Sequence, residues 1–181
     1  MTSPSAGVPV ESLEAVQQAL GAEHAAIWIY GLVSAFLPGS FGAAVAEGMT
    51  AHRARRDATE RFLAGAGVTP RPAEPAYVPP KPVADQASAL AVLVVAETDA
   101  GVGWRAVLER TDDGDLRRTA LEALTASAVR ATRWRSAPTP SRAVRTSTCW
   151  RRRVRRATSR GGRGSTTRAR RWCERSRWAA R

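Results

Sequence analysis

Both cysteines of this 181-residue chain, Cys149 and Cys173, lie near its C-terminus, and the long preceding part has none. That part therefore has neither a disulfide framework nor thiol chemistry. Only two histidines are present, His24 and His52, and no Ser/His/Asp set can be assembled around them. No glycine-rich phosphate loop follows a strand either. The sequence thus lacks the signals of a hydrolase and of a nucleotide-binding enzyme.

Long apolar runs are also missing. Glu23, Glu47 and Glu97 interrupt the best candidates, so no stretch reaches the ~18 charge-free apolar residues that a membrane-spanning helix needs. The N-terminus shows no basic segment followed by an apolar segment and a cleavage site, so no secretory signal is expected. We therefore predict a cytoplasmic protein that makes no membrane contact.

The net charge of +12 belongs to one end of the chain. Residues 1–135 carry 13 Lys/Arg and 15 Asp/Glu, whereas residues 136–181 carry 15 Arg and a single acidic residue, Glu174. The high isoelectric point therefore does not indicate a basic nucleic-acid-binding domain in the first 135 residues. Those residues suffice for one domain with one core and are too few for two ordinary domains.

The apolar pattern predicts an all-α domain. Alanine is abundant, and β-branched residues nowhere alternate with polar ones, which disfavours strands. Asp85 is an expected N-cap, as is Ser40, and the turn at 112–115 supplies a further cap. We predict helices over about 10–37, 41–65, 85–110 and 116–134.

The connections predict how these helices are arranged. Two links are short, so the first and second helices, and the third and fourth, form antiparallel hairpins. Residues 67–85 include six prolines and are expected to be extended and stiff, able to carry the chain along a bundle. Two hairpins joined by one long crossover describe a ferritin-like four-helix bundle, which we predict for residues 10–135.

Charged residues interrupt the apolar seam near the middle of each helix. Glu23 lies on the seam of the first helix, His52 and Arg56 on that of the second, and Glu97 on that of the third. On the fourth, one possible seam places Arg130 inward, whereas an alternative face through Leu121 and Leu124 turns Arg130 away from the core. Because a lone buried charge costs several kcal/mol, these groups must meet one another or a metal ion. With a tyrosine one heptad after Glu23, the predicted core polar network is Glu23, Tyr30, His52, Arg56, Glu97 and Arg130.

A standard di-iron centre does not fit this set. Such bundles use one Glu from each of two helices and a Glu-x-x-His motif from each of the other two. Glu23 and Glu97 match the single-Glu positions, but Met49 stands three residues before His52, where the motif needs a glutamate. The fourth helix has Glu122 and no histidine.

Two interpretations of the network remain. Glu23, His52 and Glu97 form a ligand set that could bind one iron, manganese or zinc ion, which would make the protein a metal-binding oxidative or storage protein. Arg56 or Arg130 within reach would instead pair with the carboxylates and repel a cation. We favour a structural network and assign no catalytic and no cofactor-binding residue.

Four segments resemble a known family: ALGAEHAAIWIYG (19–31), AHRARRDA (51–58), PAYVPPKPVAD (75–85) and AVRATRWR (128–135). They are similar to a bacterial ferritin-like four-helix domain family of unknown function, common in GC-rich genomes. The resemblance extends over residues 10–135 and implies a ferritin-like bundle, but no substrate. It also implies that the family pattern includes Glu23, Tyr30, His52, Arg53, Arg56, Glu97, Arg130 and Trp134.

Residues 136–181, called the Arg-rich tail below, have a different composition. They use ten residue types, all their basic residues are Arg, and they lack Leu, Ile, Phe and Met, so we predict a disordered segment without a core. A GC-rich gene read in a shifted frame gives this composition, and our hypothesis is that the tail is frameshift-derived. The alternative is an Arg/Trp arm that binds RNA or DNA, which would be non-specific binding of a polyanion.

The alanine-rich faces of the predicted helices also favour a homodimer.

Overall fold

The computed structural model describes residues 9–139, and helices make up most of them. These helices are α1 (Val10–Val33), α2 (Gly42–Gly65), α3 (Gln86–Arg110) and α4 (Gly114–Arg135). A short 3-10 turn, Gly39–Phe41, precedes α2, and no strand occurs in this part of the chain. The predicted all-α four-helix bundle is confirmed. Disorder was predicted for residues 136–181, and residues 140–181 of that segment lie outside the described range.

Two details at the junction of α1 and α2 differ from the prediction. α1 ends at Val33 rather than near residue 37, because in a continued helix Pro38 would have no N–H for the Ser34 carbonyl and its ring would clash with that carbonyl. Ser40 does not cap α2. It lies inside the 3-10 turn, where the Phe41 N–H donates to the Pro38 carbonyl at 2.9 Å and leads the backbone directly into α2.

The predicted caps of α3 and α4 are confirmed. The Asp85 carboxylate accepts from the Ser88 N–H at 2.8 Å, and the Ser88 Oγ accepts from the Asp85 N–H at 3.0 Å, so the two residues form a capping box. At α4, the Asp113 carboxylate accepts from the Leu116 N–H at 2.7 Å. Each such cap stabilises the start of its helix by about 1 kcal/mol.

The helices pack in the order α2, α1, α3, α4. α1 packs against both α2 and α3, and α3 packs against both α1 and α4, whereas α2 and α4 approach each other only weakly. Short links join α1 to α2 and α3 to α4, and residues 66–85 form the long crossover. Two apolar clusters fill the interior: one contains Tyr30, Leu93 and Trp134, and the other contains Leu20 and Trp104.

The proline-rich crossover is held to the bundle by Gln17 of α1. The Gln17 Nε2 donates to the Thr69 carbonyl at 2.8 Å, and its Oε1 accepts from the Arg71 N–H at 2.9 Å. Further along, the Tyr77 ring packs at 6.2 Å from the Trp28 ring, measured between centroids. The crossover therefore runs extended along the bundle, as the proline content predicts.

Among the helices that the structure describes, α3 alone is long and apolar enough to cross a membrane by length and composition. However, 50% of its apolar window is buried inside the protein. The window also surrounds Glu97, whose side chain is buried against the other helices. These features are typical of a helix in the core of a bundle.

Candidate functional site

His52 lies at the centre of the bundle, between two carboxylates. Its side chain has no exposed surface, its Nδ1 lies 2.6 Å from the Glu23 Oε2, and its Nε2 lies 3.1 Å from the Glu97 Oε1. Both contacts are hydrogen bonds when both ring nitrogens carry a proton. Burial lowers the pKa of His52, but the hydrogen bonds and charges of Glu23 and Glu97 outweigh burial and raise it above its ordinary value. α2 thus places an imidazolium between α1 and α3.

Glu97 of α3 gathers three donors on one oxygen. Its Oε1 accepts from the Tyr30 hydroxyl at 2.5 Å and from the Arg130 Nε at 2.7 Å, in addition to His52. Burial raises the pKa of Glu97, but the hydrogen bond and charge of His52, together with the bonds from Arg130 and Tyr30, lower it to about 2. The second oxygen, Oε2, is buried and has no hydrogen-bond partner within the described part of the chain.

Glu23 of α1 is held in a similar way on the other side of His52. Its Oε1 accepts from the Trp104 Nε1 at 2.7 Å and from the Arg55 Nη1 at 3.0 Å. Burial raises the pKa of Glu23, but the hydrogen bond from His52 and the charge of Arg55 outweigh it, so the pKa lies below its ordinary value. Both carboxylates are therefore ionised at neutral pH.

Tyr30 connects this arrangement to the apolar cluster at one end of the bundle. Its hydroxyl accepts from the Trp134 Nε1 at 3.0 Å while it donates to Glu97. Its ring packs at 5.3 Å from the His52 ring and 6.2 Å from the Trp134 ring, between centroids. Burial and the Glu97 charge raise the pKa of Tyr30 well above its ordinary range, so the phenol stays protonated.

Arg130 of α4 faces inward, as one of the two predicted seams requires. Its side chain is 10% exposed, whereas Leu121, on the alternative face, is 55% exposed. Ser127, one turn earlier on α4, accepts from the Arg55 Nη1 at 3.2 Å and from the Arg130 Nη2 at 3.5 Å. The two arginines therefore share a hydroxyl between α2 and α4.

The prediction that Arg56 belongs to the network is wrong. Arg56 pairs with its neighbour Asp57, with its Nε 2.8 Å from the Asp57 Oδ1, and the partly buried arginine beside Glu23 is Arg55. Positions 55 and 56 are three and four residues after His52, so both lie near the same face of a helix. The rotation of α2 against α1 turns the earlier position inward. We call the resulting set, Glu23, Tyr30, His52, Arg55, Glu97 and Arg130, the ionic layer.

Sequence reasoning missed two members of this region, Arg55 and Ser127, and it did not link Trp104 to Glu23. Ser127 lies on the same inward seam of α4 as Arg130, so its inward position could be predicted from the sequence. Its hydrogen-bond partners could not. Trp104 occupies a seam position of α3, and its Nε1 is a donor only. A buried indole N–H needs an acceptor, and this requirement is the signal that could have linked Trp104 to a buried carboxylate.

The three residues of the alternative metal site, Glu23, His52 and Glu97, do lie together, but their arrangement does not fit a metal centre. Within the described residues, no group of three His, Cys, Asp or Glu side chains is placed to hold a metal ion. Both nitrogens of His52 contact carboxylates, and Arg55 and Arg130 bring two guanidinium charges to the same oxygens. A ligating imidazole must be neutral, and the guanidinium charges repel a cation.

Fold and site together define a four-helix bundle with a charged layer in its core. The family described as Domain of unknown function (DUF4439) matches residues 15–144, and the chain belongs to this family. The chain is also similar to a conserved hypothetical protein from Mycobacterium tuberculosis whose crystal structure is known. The two are 39% identical, with a TM-score of 0.69 over 71% of this chain and 94% of that one. No curated protein matches the chain.

Proposed function

We propose that this protein is a ferritin-like bundle without catalysis, in which the ionic layer takes the position of a metal centre and holds the helices together. The observation that carries this proposal is the bridging position of His52, whose two nitrogens contact carboxylates of two different helices. Arg55 and Arg130 complete the layer from α2 and α4. Every helix of the bundle therefore contributes at least one charge to a single buried cluster.

The chemistry of the ionic layer supports a structural role. A general acid or base works best with a pKa near the working pH, and it must reach the substrate. Here the pKa of Glu97 falls to about 2 and that of His52 is raised, while burial and the Glu97 charge push that of Tyr30 further up. His52 and Glu23 have no exposed surface. The layer combines strongly shifted pKa values with poor access, which suits packing specificity better than proton transfer.

A buried charged layer of this kind contributes specificity of packing. Each helix must present its polar residue at the same level of the bundle, because a slip of one turn would leave a charge facing apolar side chains. We infer that the layer sets the axial register of the four helices.

Metal analysis of the full-length protein tests this proposal against the metal-binding alternative. The protein is purified without chelators or a metal-binding tag, beside His52→Ala and the control His24→Ala, which removes the other histidine. We expect iron, manganese and zinc far below one ion per chain in all three. Near-stoichiometric metal that is lost in His52→Ala but kept in His24→Ala would contradict the proposal. It would instead support an oxidative or storage protein with Glu23, His52 and Glu97 as ligands.

For the Arg-rich tail we propose a frameshift origin. Its composition supports this, and the family match, which ends at residue 144, leaves most of the tail unmatched. Translating the gene in its other two frames is the test: a family-like continuation supports the proposal, and its absence in both frames contradicts it. Fifteen arginines would bind nucleic acid in vitro in either case, with steep salt dependence.

A cytoplasmic location and a homodimer also stay predictions.

A further inference from the structure

The ionic layer carries more positive than negative charge. Two carboxylates, Glu23 and Glu97, face two guanidinium groups and the doubly protonated His52. The layer therefore has an excess of one positive charge, and a partly buried unpaired charge attracts a counter-ion. The side of the bundle where this charge approaches the surface is the seam between α2 and α4, because these two helices pack only weakly against each other.

A cavity of about 200 Å³ lies on this seam, beside Arg130. Its apolar walls are formed by Phe41, Ala44, Trp134 and Ala137. This volume is below the range of about 300–1,000 Å³ typical of sites for drug-sized ligands, so only a small molecule fits. The cavity thus combines flat aromatic walls with a guanidinium from the ionic layer.

The charges around the cavity favour an anion. Arg130 and Arg133 line it against one acidic residue, Glu47, whose Oε1 lies 3.5 Å from the Arg133 Nη1. The Arg130 Nε and Nη2 donate to protein oxygens, but its Nη1 donates to no residue that the structure describes. A guanidinium N–H of this kind pairs well with a carboxylate.

A second cavity on the same seam has the opposite balance. It is lined by Arg55 and by two aspartates, Asp113 and Asp115, so its acidic residues outnumber its single arginine. The Arg55 charge is also directed to Glu23. The excess positive charge of the layer is therefore accessible to an anion at the Arg130 end of the seam and not at the Arg55 end.

We propose that the cavity beside Arg130 binds a small organic carboxylate, whose charged group pairs with Arg130 and whose apolar body packs against Phe41 and Trp134. This site goes beyond the structural role proposed above and does not depend on catalysis. It would couple a ligand to the core, because Arg130 also donates to Glu97.

Titration of the full-length protein with benzoate tests the site, with benzamide as the neutral analogue of the same shape. Ala44→Leu fills the cavity from an exposed position near the start of α2, and Ala43→Leu, also exposed but outside the cavity, is the matched control. All variants keep the Arg-rich tail, so anion binding by the tail cancels in the comparison. Circular dichroism verifies that each variant is folded.

We expect saturable benzoate binding in the wild type and in Ala43→Leu, and a loss of affinity of about tenfold or more in Ala44→Leu. Benzamide should bind about tenfold more weakly than benzoate, and Arg130→Gln should reduce the preference for the anion. Three results would overturn the proposal: no saturable benzoate binding by folded wild type, equal affinity in Ala44→Leu and Ala43→Leu, or equal affinity for benzoate and benzamide. The cavity-filling comparison decides the question even if Arg130→Gln fails to fold.

Discussion

Gly48 of α2 lies directly against the ring of Tyr30 of α1. A Cβ at position 48 would lie 2.3 Å from the Tyr30 Cε1 and 2.5 Å from its hydroxyl oxygen, far inside van der Waals contact. The ring cannot move away without a loss, because its hydroxyl bridges Glu97 and the Trp134 indole. The absence of a side chain at position 48 therefore allows α2 to approach α1 at the level of the ionic layer.

We expect Gly48→Ala to destabilise the protein by about 1–3 kcal/mol, because the new methyl group must displace the Tyr30 ring or push the helices apart. Gly31→Ala is the matched control, since a Cβ there meets no other atom within 4 Å and alanine favours the helix. Urea unfolding of both variants measures the difference. A Gly48→Ala protein as stable as Gly31→Ala would contradict the close approach of α2 to Tyr30.

The neighbouring arginines of α2 should differ in their contribution to stability. Arg55→Ala removes a guanidinium that pairs with the fully buried Glu23, and we expect a loss of about 2–4 kcal/mol. Arg56→Ala breaks only a partly exposed pair with Asp57, so a change of about 0.5 kcal/mol or less is expected. Chemical denaturation of the two variants compares them directly. Equal losses, or a larger loss in Arg56→Ala, would mean that α2 is rotated differently against α1.

The two buried indoles donate to acceptors of different charge, and this difference is measurable. Trp104→Phe leaves the ionised Glu23 without one donor, which we expect to cost about 2–3 kcal/mol beyond the lost contact area. Trp134→Phe removes a bond to the neutral Tyr30 hydroxyl, for which we expect about 1 kcal/mol. Because both variants replace an indole ring by a phenyl ring, the difference between their losses of unfolding free energy reports the charge of the acceptor. The reverse order would indicate that Glu23 is not ionised.

Stability should fall on acidification because of Glu97. Its pKa is lowered from 4.5 to about 2 in the folded protein, so its stabilisation is complete above about pH 4.5 and is lost as the pH falls toward 2. This corresponds to a loss on the order of 3 kcal/mol. Unfolding curves of the wild type and Glu97→Gln between pH 2 and 6 measure it, and the acid-dependent part should be smaller in the variant. Glu122→Gln, an exposed glutamate of α4, should keep the wild-type profile.

His52 contributes a second pH dependence of opposite sign. Its folded pKa is raised above 6.5, so its stabilisation is present below 6.5 and is lost as the pH rises through the folded value. His52→Gln should therefore be less stable than the wild type at pH 6, and the gap should narrow at alkaline pH. A gap that widens with pH would show that His52 is neutral in the folded protein.

Local sequence signals determined the helices and their order. Asp85 and Asp113 are caps because their carboxylates accept from backbone N–H groups within the next three residues, an interaction that needs no tertiary contact. The prolines of the crossover keep it extended for a similarly local reason. Glu23, His52 and Glu97 could be placed on the inward seam because the helical period alone sets which positions share a face. The period and the cost of burying a charge were sufficient to predict that they meet.

Only the tertiary structure decided which partners complete the layer. Adjacent positions on a helix differ by about 100° in direction, so the choice between Arg55 and Arg56 depends on how α2 is rotated against α1. The link between Tyr30 and Glu97 depends on the close approach at Gly48, which no periodic pattern encodes. Long side chains from four helices converge within hydrogen-bonding distance only when all axial positions are set. The helical period therefore determined which charges are buried, and the packing of the helices determined how they are paired.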